Sequence, residues 1–256
     1  MSYAVCCVPL APIRIEPDHR SEMVSQLLFG ECCIITITEK NGWVKIVNKL
    51  DAYTGWCRHS HFQEIDDTQY YLEETRLTAG WVNEIDYNGH MMMVPLGSSL
   101  TAMQNGNVFW RRNQVHYKGD TWEPAKAKHD AKTIKQLAFK FLNSTYLWGG
   151  RSVFGIDCSG FTQLLYKFLN IHLLRDAQQQ ATQGELVGFL QQAHCGDLAF
   201  FDDEEGRIVH VGMLLNPDEI IHASGKVRID KIDIEGIIDA DTGLRTQKLR
   251  IIKRYI

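Results

Sequence analysis

The chain has 256 residues, of which 45% are hydrophobic and 23% charged, a balance typical of folded globular proteins and unlike that of disordered chains. A formal net charge of -4 and the lack of any block of lysines and arginines argue against a nucleic-acid partner and against a membrane surface. No segment approaches the roughly 20 apolar residues of a membrane span. A chain of this length has room for more than one domain.

The beginning of the chain and its cysteines indicate the cellular compartment. Residues 1–9 lack the basic start and the long apolar run of a secretory signal. The seven cysteines are an odd number, and Cys6 with Cys7 and Cys32 with Cys33 are sequence neighbours. This pattern is a poor framework for disulfides and is typical of a reducing compartment, so we expect a cytoplasmic protein.

Residues 1–66 alternate short β-rich runs with turns. Residues 32–38 are rich in Ile and Thr, residues 43–47 alternate apolar and polar side chains, and Asn41-Gly42 between them is a turn signal. Short strands at this spacing predict a small β-barrel.

Residues 67–125 repeat the same pattern more weakly. The run Met91-Met92-Met93-Val94 is strand-like, and a turn follows at Gly119 and Asp120. We predict a second small barrel here, with the three methionines filling its core.

The remaining residues, 126–256, begin with helices and end with strands. Residues 130–142 have a helical period whose apolar face is Ala131, Ile134, Leu137, Ala138 and Phe141. Residues 161–166 are again helical in period, and strand-like runs follow at 197–201, 209–215, 219–222 and 249–254. Helices followed by an antiparallel sheet predict an α+β domain.

The tetrapeptide Asp157-Cys158-Ser159-Gly160 directly precedes the second predicted helix. A cysteine at a helix N-terminus meets the positive end of the helix dipole, which lowers the pKa of a thiol and favours the thiolate. His210 and His222 follow in strand-like runs, and a histidine beside the thiol can exchange protons with it. This pattern predicts a cysteine hydrolase.

Several motifs in this half of the chain resemble those of the NlpC/P60 cell-wall peptidases. They occur in the family's order, as Tyr146-x-Trp148-Gly149-Gly150, Asp157-Cys158-Ser159-Gly160-Phe161, Arg175-Asp176-Ala177, Gly196-Asp197-Leu198, His210-Val211-Gly212 and Ile221-His222-Ala223-Ser224. The N-terminal half resembles the bacterial SH3-like barrels that often precede this domain. The resemblance implies a papain-like NlpC/P60 domain over residues 126–256, preceded by SH3-like barrels over 1–66 and 67–125.

The resemblance also implies a role for each residue of the catalytic motifs. Cys158 is expected to be the nucleophile and His210 the base, with His222 as the residue that orients His210. Tyr146 is at the position of the tyrosine that helps to form the oxyanion hole. Two adjacent strands can place both histidines within hydrogen-bond reach, which is consistent with these roles.

The activity implied is hydrolysis of the bond between γ-D-glutamate and diaminopimelate or lysine in murein peptides. Relatives with this layout bind the free amine of L-alanine through a carboxylate at the position of Asp176, although Ala177 replaces the serine that they carry next to it. Further candidates for substrate contact are Asp157, Ser159 and Trp148 around the nucleophile, and Tyr53 and Glu22 in the first barrel.

Simpler interpretations remain for four of these residues. Asp157 is also suited to cap the helix, and Asp176 to begin a turn. Tyr53 is equally suited to pack the barrel, and Glu22 to lie in an exposed loop.

The expected partner is a murein tri- or tetrapeptide, with no cofactor, no metal, no nucleic acid and no membrane. His59 and His61 lack matching ligands for a metal. The sequence does not define an oligomeric state, and a monomer is compatible with it. Two other functions remain open, namely acyl transfer or lipid acyl hydrolysis on the same Cys-His pair, and binding of murein peptides without catalysis.

Overall fold

The computed structural model describes every residue from Met1 to Ile256. The chain forms two compact units. The first contains Met1–Lys126 together with Trp148–Val153, and the second contains Ala127–Leu147 together with Phe154–Ile256. The short segment Trp148–Val153 therefore packs within the first unit, although in sequence only residues 154–157 separate it from the Cys158 helix.

The first unit begins with a seven-stranded antiparallel sheet. Its strands are β1 (Ser2–Cys6), β2 (Leu10–Arg14), β3 (Met23–Leu28), β4 (Cys32–Thr38), β5 (Trp43–Asn48), β6 (Thr54–Arg58) and β7 (Phe62–Glu64). Their order across the sheet is β3-β2-β6-β5-β4-β1-β7. A short 3-10 helix, His59–His61, connects β6 to β7.

Strand β1 is buried on both of its faces, which explains why its sequence is a continuous apolar run. Successive side chains of a strand point to opposite sides. Ala4 and Cys6 therefore belong to one hydrophobic cluster with Ile13. Val5 lies in a second cluster together with Ile85. The second cluster also contains residues from further along the first unit, so the two β-rich segments share a core.

The rest of the first unit is a short helix and two smaller sheets. The elements are α1 (Asp67–Tyr70), β8 (Leu77–Thr78), β9 (Val82–Tyr87), β10 (His90–Pro95), β11 (Asn107–Trp110), β12 (Asn113–His116), β13 (Thr121–Trp122), the 3-10 helix Pro124–Lys126 and β14 (Arg151–Ser152). Strands β9 to β12 form one sheet in the order β10-β9-β12-β11, and β13 pairs with β8.

The prediction that all three methionines of β10 fill a core is wrong. Met91 is 60% exposed and Met93 50% exposed, whereas Met92 packs against buried residues. Strand β10 is at the edge of its sheet, and alternate side chains of a strand covered on one face point away from the core.

The second unit contains three helices before its main sheet. The elements are α2 (Ala131–Phe139), β15 (Gly155–Ile156), α3 (Cys158–Phe168), α4 (Ala177–Gln180), β16 (Glu185–Val187), the 3-10 helix Leu190–Gln192, β17 (Leu198–Asp202), β18 (Ile208–Asn216), β19 (Glu219–Ser224), β20 (Lys226–Asp233), β21 (Gly236–Ile238) and β22 (Arg245–Arg254). None of the helices in the chain is long and apolar enough to cross a membrane.

Six strands of the second unit close into an antiparallel barrel. They follow the chain in the order β17, β18, β19, β20 and β21, and β22 pairs with both β21 and β17. Strand β16 adds to the outside of β22. Helix α3 packs against β18 and β19 and is buried at all of its positions, which fits its rich content of Phe, Leu and Tyr.

The α+β fold class predicted from the sequence is confirmed, with differences in the second unit. Helix α2 ends at Phe139 rather than at residue 142, and Ala131 is exposed rather than part of the apolar face. Strands β20 and β21 were not predicted, because charged residues alternate with apolar ones along β20 and hide its burial.

Candidate active site

Cys158 is the first residue of helix α3, and the residue before it caps the helix. Asp157 has an extended backbone (φ -92°, ψ 178°), and its Oδ1 accepts a hydrogen bond from the N–H of Gly160 at 2.7 Å. Aspartate is favoured at this position because its carboxylate satisfies a backbone N–H that has no partner within the helix. The capping role considered for Asp157 is thus confirmed.

Asp157 is also paired with a buried arginine, whose role the sequence did not reveal. Arg175 is 1% exposed, and its guanidinium donates to both carboxylate oxygens of Asp157, at 3.0 Å and 2.6 Å. Arg175 Nη1 also donates to Ser159 Oγ at 2.9 Å. Asp157 and Ser159 are therefore held by Arg175 on either side of the nucleophile, and their contact with substrate remains a prediction.

Cys158 is 7% exposed, and its surroundings favour the protonated form of the thiol. Burial raises the pKa of the thiol to about 12, and the charge of Asp157 acts in the same direction. The backbone of Val211, the charge of Arg175 and the backbone of Ser159 lower this pKa by less. Desolvation of the thiol therefore opposes the effect of the helix terminus, and the thiolate expected from the sequence remains a prediction.

The two candidate histidines are on neighbouring strands of the barrel and are hydrogen-bonded to each other. His210 Nε2 lies 2.8 Å from His222 Nδ1, and the rings meet edge to face with their centroids 5.0 Å apart. In the register of β18 and β19, His222 is opposite Gly212, so His210 is its diagonal neighbour on the same face.

Gly212 makes room for this pair of imidazoles. A Cβ at this position would lie 2.8 Å from the Cβ of His222 and 2.7 Å from Ile220 Cδ1. Neither distance is sterically tolerable, so any side chain opposite His222 displaces it. The glycine of the His-Val-Gly motif is explained by this contact.

His210 is surrounded so that its imidazole stays neutral. Burial lowers the pKa of His210 to about 3, and the charge of His222 adds to the effect. The ring lies 5.7 Å from that of Phe201, on the next strand. A neutral imidazole is the form that accepts a proton from a thiol.

A third buried residue, Asp230, continues the line of hydrogen bonds and was missed in the sequence. His222 Nε2 lies 2.9 Å from Asp230 Oδ2, and Asp230 is 3% exposed. The other oxygen, Oδ1, accepts from Arg228 Nη2 at 2.9 Å and from the N–H of Ala240 at 2.8 Å. Burial raises the pKa of Asp230, but the hydrogen bonds to His222, Ala240 and Arg228 and the charge of His222 together lower it below its ordinary value.

Tyr146, expected at the oxyanion hole, lies close enough to Cys158 and Asp157 for their charges to act on its hydroxyl. Its N–H donates to the carbonyl of Gly225, and it forms a bridge with Ile156, two residues before Cys158. Burial raises the pKa of Tyr146 to about 12, with further contributions from Cys158 and Asp157. The phenol is therefore a hydrogen-bond donor at neutral pH.

Asp176, the candidate for binding an amine, is the N-cap residue of helix α4 and is partly buried. Its backbone N–H donates to Gln179 Oε1 at 3.1 Å, so the local role considered for Asp176 is present. A role in binding the substrate amine remains a prediction.

Two of the other candidates meet in the first unit. Trp148 is 60% exposed, and its Nε1 donates to Glu22 Oε1 at 2.6 Å. The segment Trp148–Val153 is fixed there by Arg151, which is fully buried and donates to Glu31 at 2.8 Å and 3.2 Å. Tyr53 is partly buried, and its N–H donates to Asp51.

Each of the two parts of the chain matches a known protein family. Residues 143–246 match the NlpC/P60 family, and residues 13–62 match the bacterial dipeptidyl-peptidase Sh3 domain. The predicted combination of an SH3-like domain with an NlpC/P60 domain is thereby confirmed.

Two curated relatives align over most of the chain. A protein of Bacillus cereus named gamma-D-glutamyl-L-lysine dipeptidyl-peptidase is 28% identical over 89% of this chain and 76% of its own length. The protein of the same name from Bacillus subtilis is 31% identical over 78% of this chain and 71% of its own length.

A solved structure shows the same fold. The NlpC/P60 family protein of Bacillus cereus superimposes with a TM-score of 0.82 at 19% sequence identity, and 99% of each chain is covered.

Proposed function

The chain belongs to the NlpC/P60 family and is a cysteine peptidase, and we propose that it cleaves the bond between γ-D-glutamate and a diamino acid in short murein peptides. The proposed substrate carries a free N-terminal L-alanine, and the products are the dipeptide L-Ala-γ-D-Glu and the diamino acid or the peptide that it begins. We further propose that the reaction serves the recycling of murein peptides in the cytoplasm.

One observation carries the substrate class. The alignments with the two Bacillus dipeptidyl-peptidases extend over 89% and 78% of this chain, which is far more than the region matched by the peptidase family alone. The N-terminal SH3-like domain is therefore shared with proteins named for this activity. This likeness favours a short γ-D-glutamyl peptide over a lipid ester or an intact cell wall.

The proposed reaction begins with proton transfer from Cys158 Sγ to Nδ1 of His210, the ring nitrogen that His222 does not occupy. The sulfur attacks the carbonyl carbon of the γ-glutamyl group, and the carbonyl electrons move onto oxygen. When this intermediate collapses, the C–N bond breaks and the amine of the diamino acid leaves with the proton from His210.

Water completes the cycle by hydrolysing the thioester. His210 takes a proton from the attacking water, the C–S bond breaks, and the proton returns to the sulfur. In both steps the negative oxygen needs hydrogen-bond donors. We propose that the Tyr146 hydroxyl, whose pKa is raised to about 12, and the N–H of Cys158 supply them.

The amine of the L-alanine needs an anionic partner. Asp176, at the start of α4, is the carboxylate that we propose for it in the second unit. In the first unit, Glu22 uses one oxygen for Trp148, and its second oxygen is our other candidate. A buried ammonium group is bound well only when it is paired, so acylation of the amine weakens binding.

Mass spectrometry of L-Ala-γ-D-Glu-L-Lys and of the matching diaminopimelate peptide tests the proposal. We expect release of L-Ala-γ-D-Glu from at least one of them, and no release by Cys158→Ala. Cleavage of a different bond, or hydrolysis of a lipid ester with both peptides left intact, would contradict the proposed substrate.

A further inference from the structure

Asp230, His222 and His210 form a continuous line of side chains across three neighbouring strands of the barrel. In the register of β19 and β20, Asp230 is opposite Ile220, so it is the diagonal neighbour of His222. The two contacts in the line measure 2.9 Å and 2.8 Å. Every contact joins one donor to one acceptor, so the charge of Asp230 at one end determines which ring nitrogen of His210 carries the proton at the other.

We propose that Asp230 is a positioning residue that sets the tautomers of both histidines, so that His210 presents an unprotonated Nδ1 to the Cys158 thiol. This inference deepens the proposed function and rests on the roles given there to Cys158 and His210. Asp230 itself does not contact the substrate.

The tautomers follow from the anionic end of the line. An ionised carboxylate only accepts hydrogen bonds, so His222 carries its proton on Nε2 and donates it to Asp230. In a neutral imidazole the other nitrogen is then an acceptor, and this is His222 Nδ1. His210 must therefore donate to it from Nε2, which leaves Nδ1 of His210 without a proton.

Asp230 is held in the orientation and charge state that this requires. Its Oδ1 accepts from the Arg228 guanidinium and from the N–H of Ala240, while its Oδ2 faces His222. Arg228 is itself paired with Asp239 at 3.0 Å. Both carboxylate oxygens are thus engaged by donors, and the lowered pKa of Asp230 agrees with a permanent anion.

The surroundings argue that the carboxylate has a purpose beyond packing. Ile220 opposite Asp230 and Ile232 two residues further along β20 belong to the apolar core of the barrel. A charged side chain in such a place costs stability unless all its hydrogen bonds are made. An apolar residue would fill the position at lower cost, but it would leave His222 free to reverse its tautomer.

Asparagine at position 230 separates positioning from packing, because it keeps the size of the side chain. Its oxygen is drawn to the two donors, Arg228 and Ala240, so its NH₂ group faces His222. His222 must then accept at Nε2 and carry its proton on Nδ1. His210 accepts from it at Nε2 and directs its own proton at Cys158, which is the wrong tautomer for a base.

The test is a comparison of Asp230→Asn with Asp233→Asn. Asp233 is on the same strand and is also bound by an arginine, Arg245, at 2.6 Å, but it has no histidine partner. By analogy with the aspartate of a serine protease triad, we expect the kcat of Asp230→Asn to fall by roughly 100-fold or more with little change in KM. We expect Asp233→Asn to keep its kcat within about twofold, as surface ion pairs contribute little.

Nitrogen-15 NMR of the imidazoles gives a readout that does not depend on substrate. In the unmodified protein, both His210 and His222 should carry the proton on Nε2, and in Asp230→Asn on Nδ1. An Nδ1-protonated His222 in the unmodified protein would overturn the proposal even if Asp230→Asn failed to fold. An unchanged kcat in Asp230→Asn would overturn it as well. If the unmodified protein showed the expected tautomers but cleaved no murein peptide, only the proposed substrate would be contradicted.

Discussion

Arg175 binds both carboxylate oxygens of Asp157 at the first turn of the Cys158 helix, at 3.0 Å and 2.6 Å. Both side chains are almost fully buried. Because Asp157 also caps the helix, the same carboxylate connects the arginine to the backbone that carries the nucleophile. The position of the thiol is therefore coupled to an ion pair that is sequestered from water and salt.

Replacing Arg175 with methionine should destabilise the second unit. Breaking a buried ion pair by removal of one partner costs about 3–5 kcal/mol, because the other charge stays buried. Thermal unfolding followed by circular dichroism measures the loss. The control is Arg245→Met, which removes an exposed partner of Asp233 and should change the midpoint little. Equal midpoints for the two variants would contradict the structural role of Arg175.

Iodoacetamide should modify Cys158 faster than the other six cysteines, and it should do so only with His210 present. Burial raises the pKa of the thiol to about 12, which by itself slows alkylation, so we attribute the faster reaction of Cys158 to proton transfer to His210. Peptide mapping after short exposure near neutral pH measures the selectivity. The same selectivity in His210→Ala would show that His210 is not the base, and uniform labelling would argue against Cys158 as the nucleophile.

The acid limb of the pH profile should lie below the ordinary histidine range. His210 must be neutral to accept a proton, and burial lowers its pKa from 6.5 to about 3. Activity is therefore present above the pKa of His210 and is lost as the pH falls through it. The folded state also loses stability below pH 6.5, since the unfolded chain then binds a proton that the buried imidazole resists. Measurement of kcat/KM between pH 4 and 8 tests this expectation, with the recovery of activity checked after return to pH 7. An acid limb whose midpoint lies at or above pH 6.5 would contradict it.

Gly212→Ala should impair catalysis through His222. The new Cβ would lie 2.8 Å from the Cβ of His222, so His222 must shift, which disturbs its hydrogen bond with His210. Overpacking of this kind costs typically about 1–3 kcal/mol, and we also expect a lower kcat. Gly188→Ala is the control, because nothing lies within 4 Å of a Cβ at that position. A Gly212→Ala variant with full kcat would show that the spacing of the two histidines is not critical.

The site residues that the sequence predicted lie in local motifs, whereas the residue that was missed is defined by a contact between strands. Cys158 and His210 lie in compact motifs, and the helix and strand that carry them have clear periodicity. Asp230 lies in a strand whose charged residues resemble an exposed face, and only the register with β19 shows that this carboxylate points at His222. Such a contact depends on pairing across the barrel, which local periodicity does not encode.

The pKa of Cys158 and the ion pair beside it could not be predicted from the sequence either. The position of Cys158 at a helix start correctly predicts the cap and the dipole. The dipole lowers the pKa of a thiol, whereas the charge of the capping Asp157 raises that of Cys158. The full burial of the helix is a tertiary property, and its desolvation reverses the sign of the shift. Arg175 likewise stood in a recognised motif, but its partner Asp157 became evident only from the folded chain.

The last prediction concerns the free amine of the substrate. If Asp176 binds the ammonium group of L-alanine, N-acetylation removes that positive charge, and the carboxylate then meets a neutral amide when substrate covers it. Loss of a buried charge pair of this kind costs on the order of 2–5 kcal/mol, which corresponds to roughly 30- to 4,000-fold in rate or affinity. We therefore expect N-acetyl-L-Ala-γ-D-Glu-L-Lys to be cleaved at least about 100-fold more slowly than the free peptide.

The variants Asp176→Asn and Glu22→Gln, measured separately, identify the responsible carboxylate. The variant that removes the partner of the amine should lower kcat/KM for the free peptide while leaving the acetylated peptide almost unchanged, so that the preference shrinks. Glu204→Gln is the control, since it removes an exposed carboxylate from the β17–β18 turn and should keep the full preference. Equal rates on the free and acetylated peptides would exclude recognition of the amine, even with Cys158 confirmed as the nucleophile, because discrimination against acetylation depends on a carboxylate that the neutral amide cannot pair.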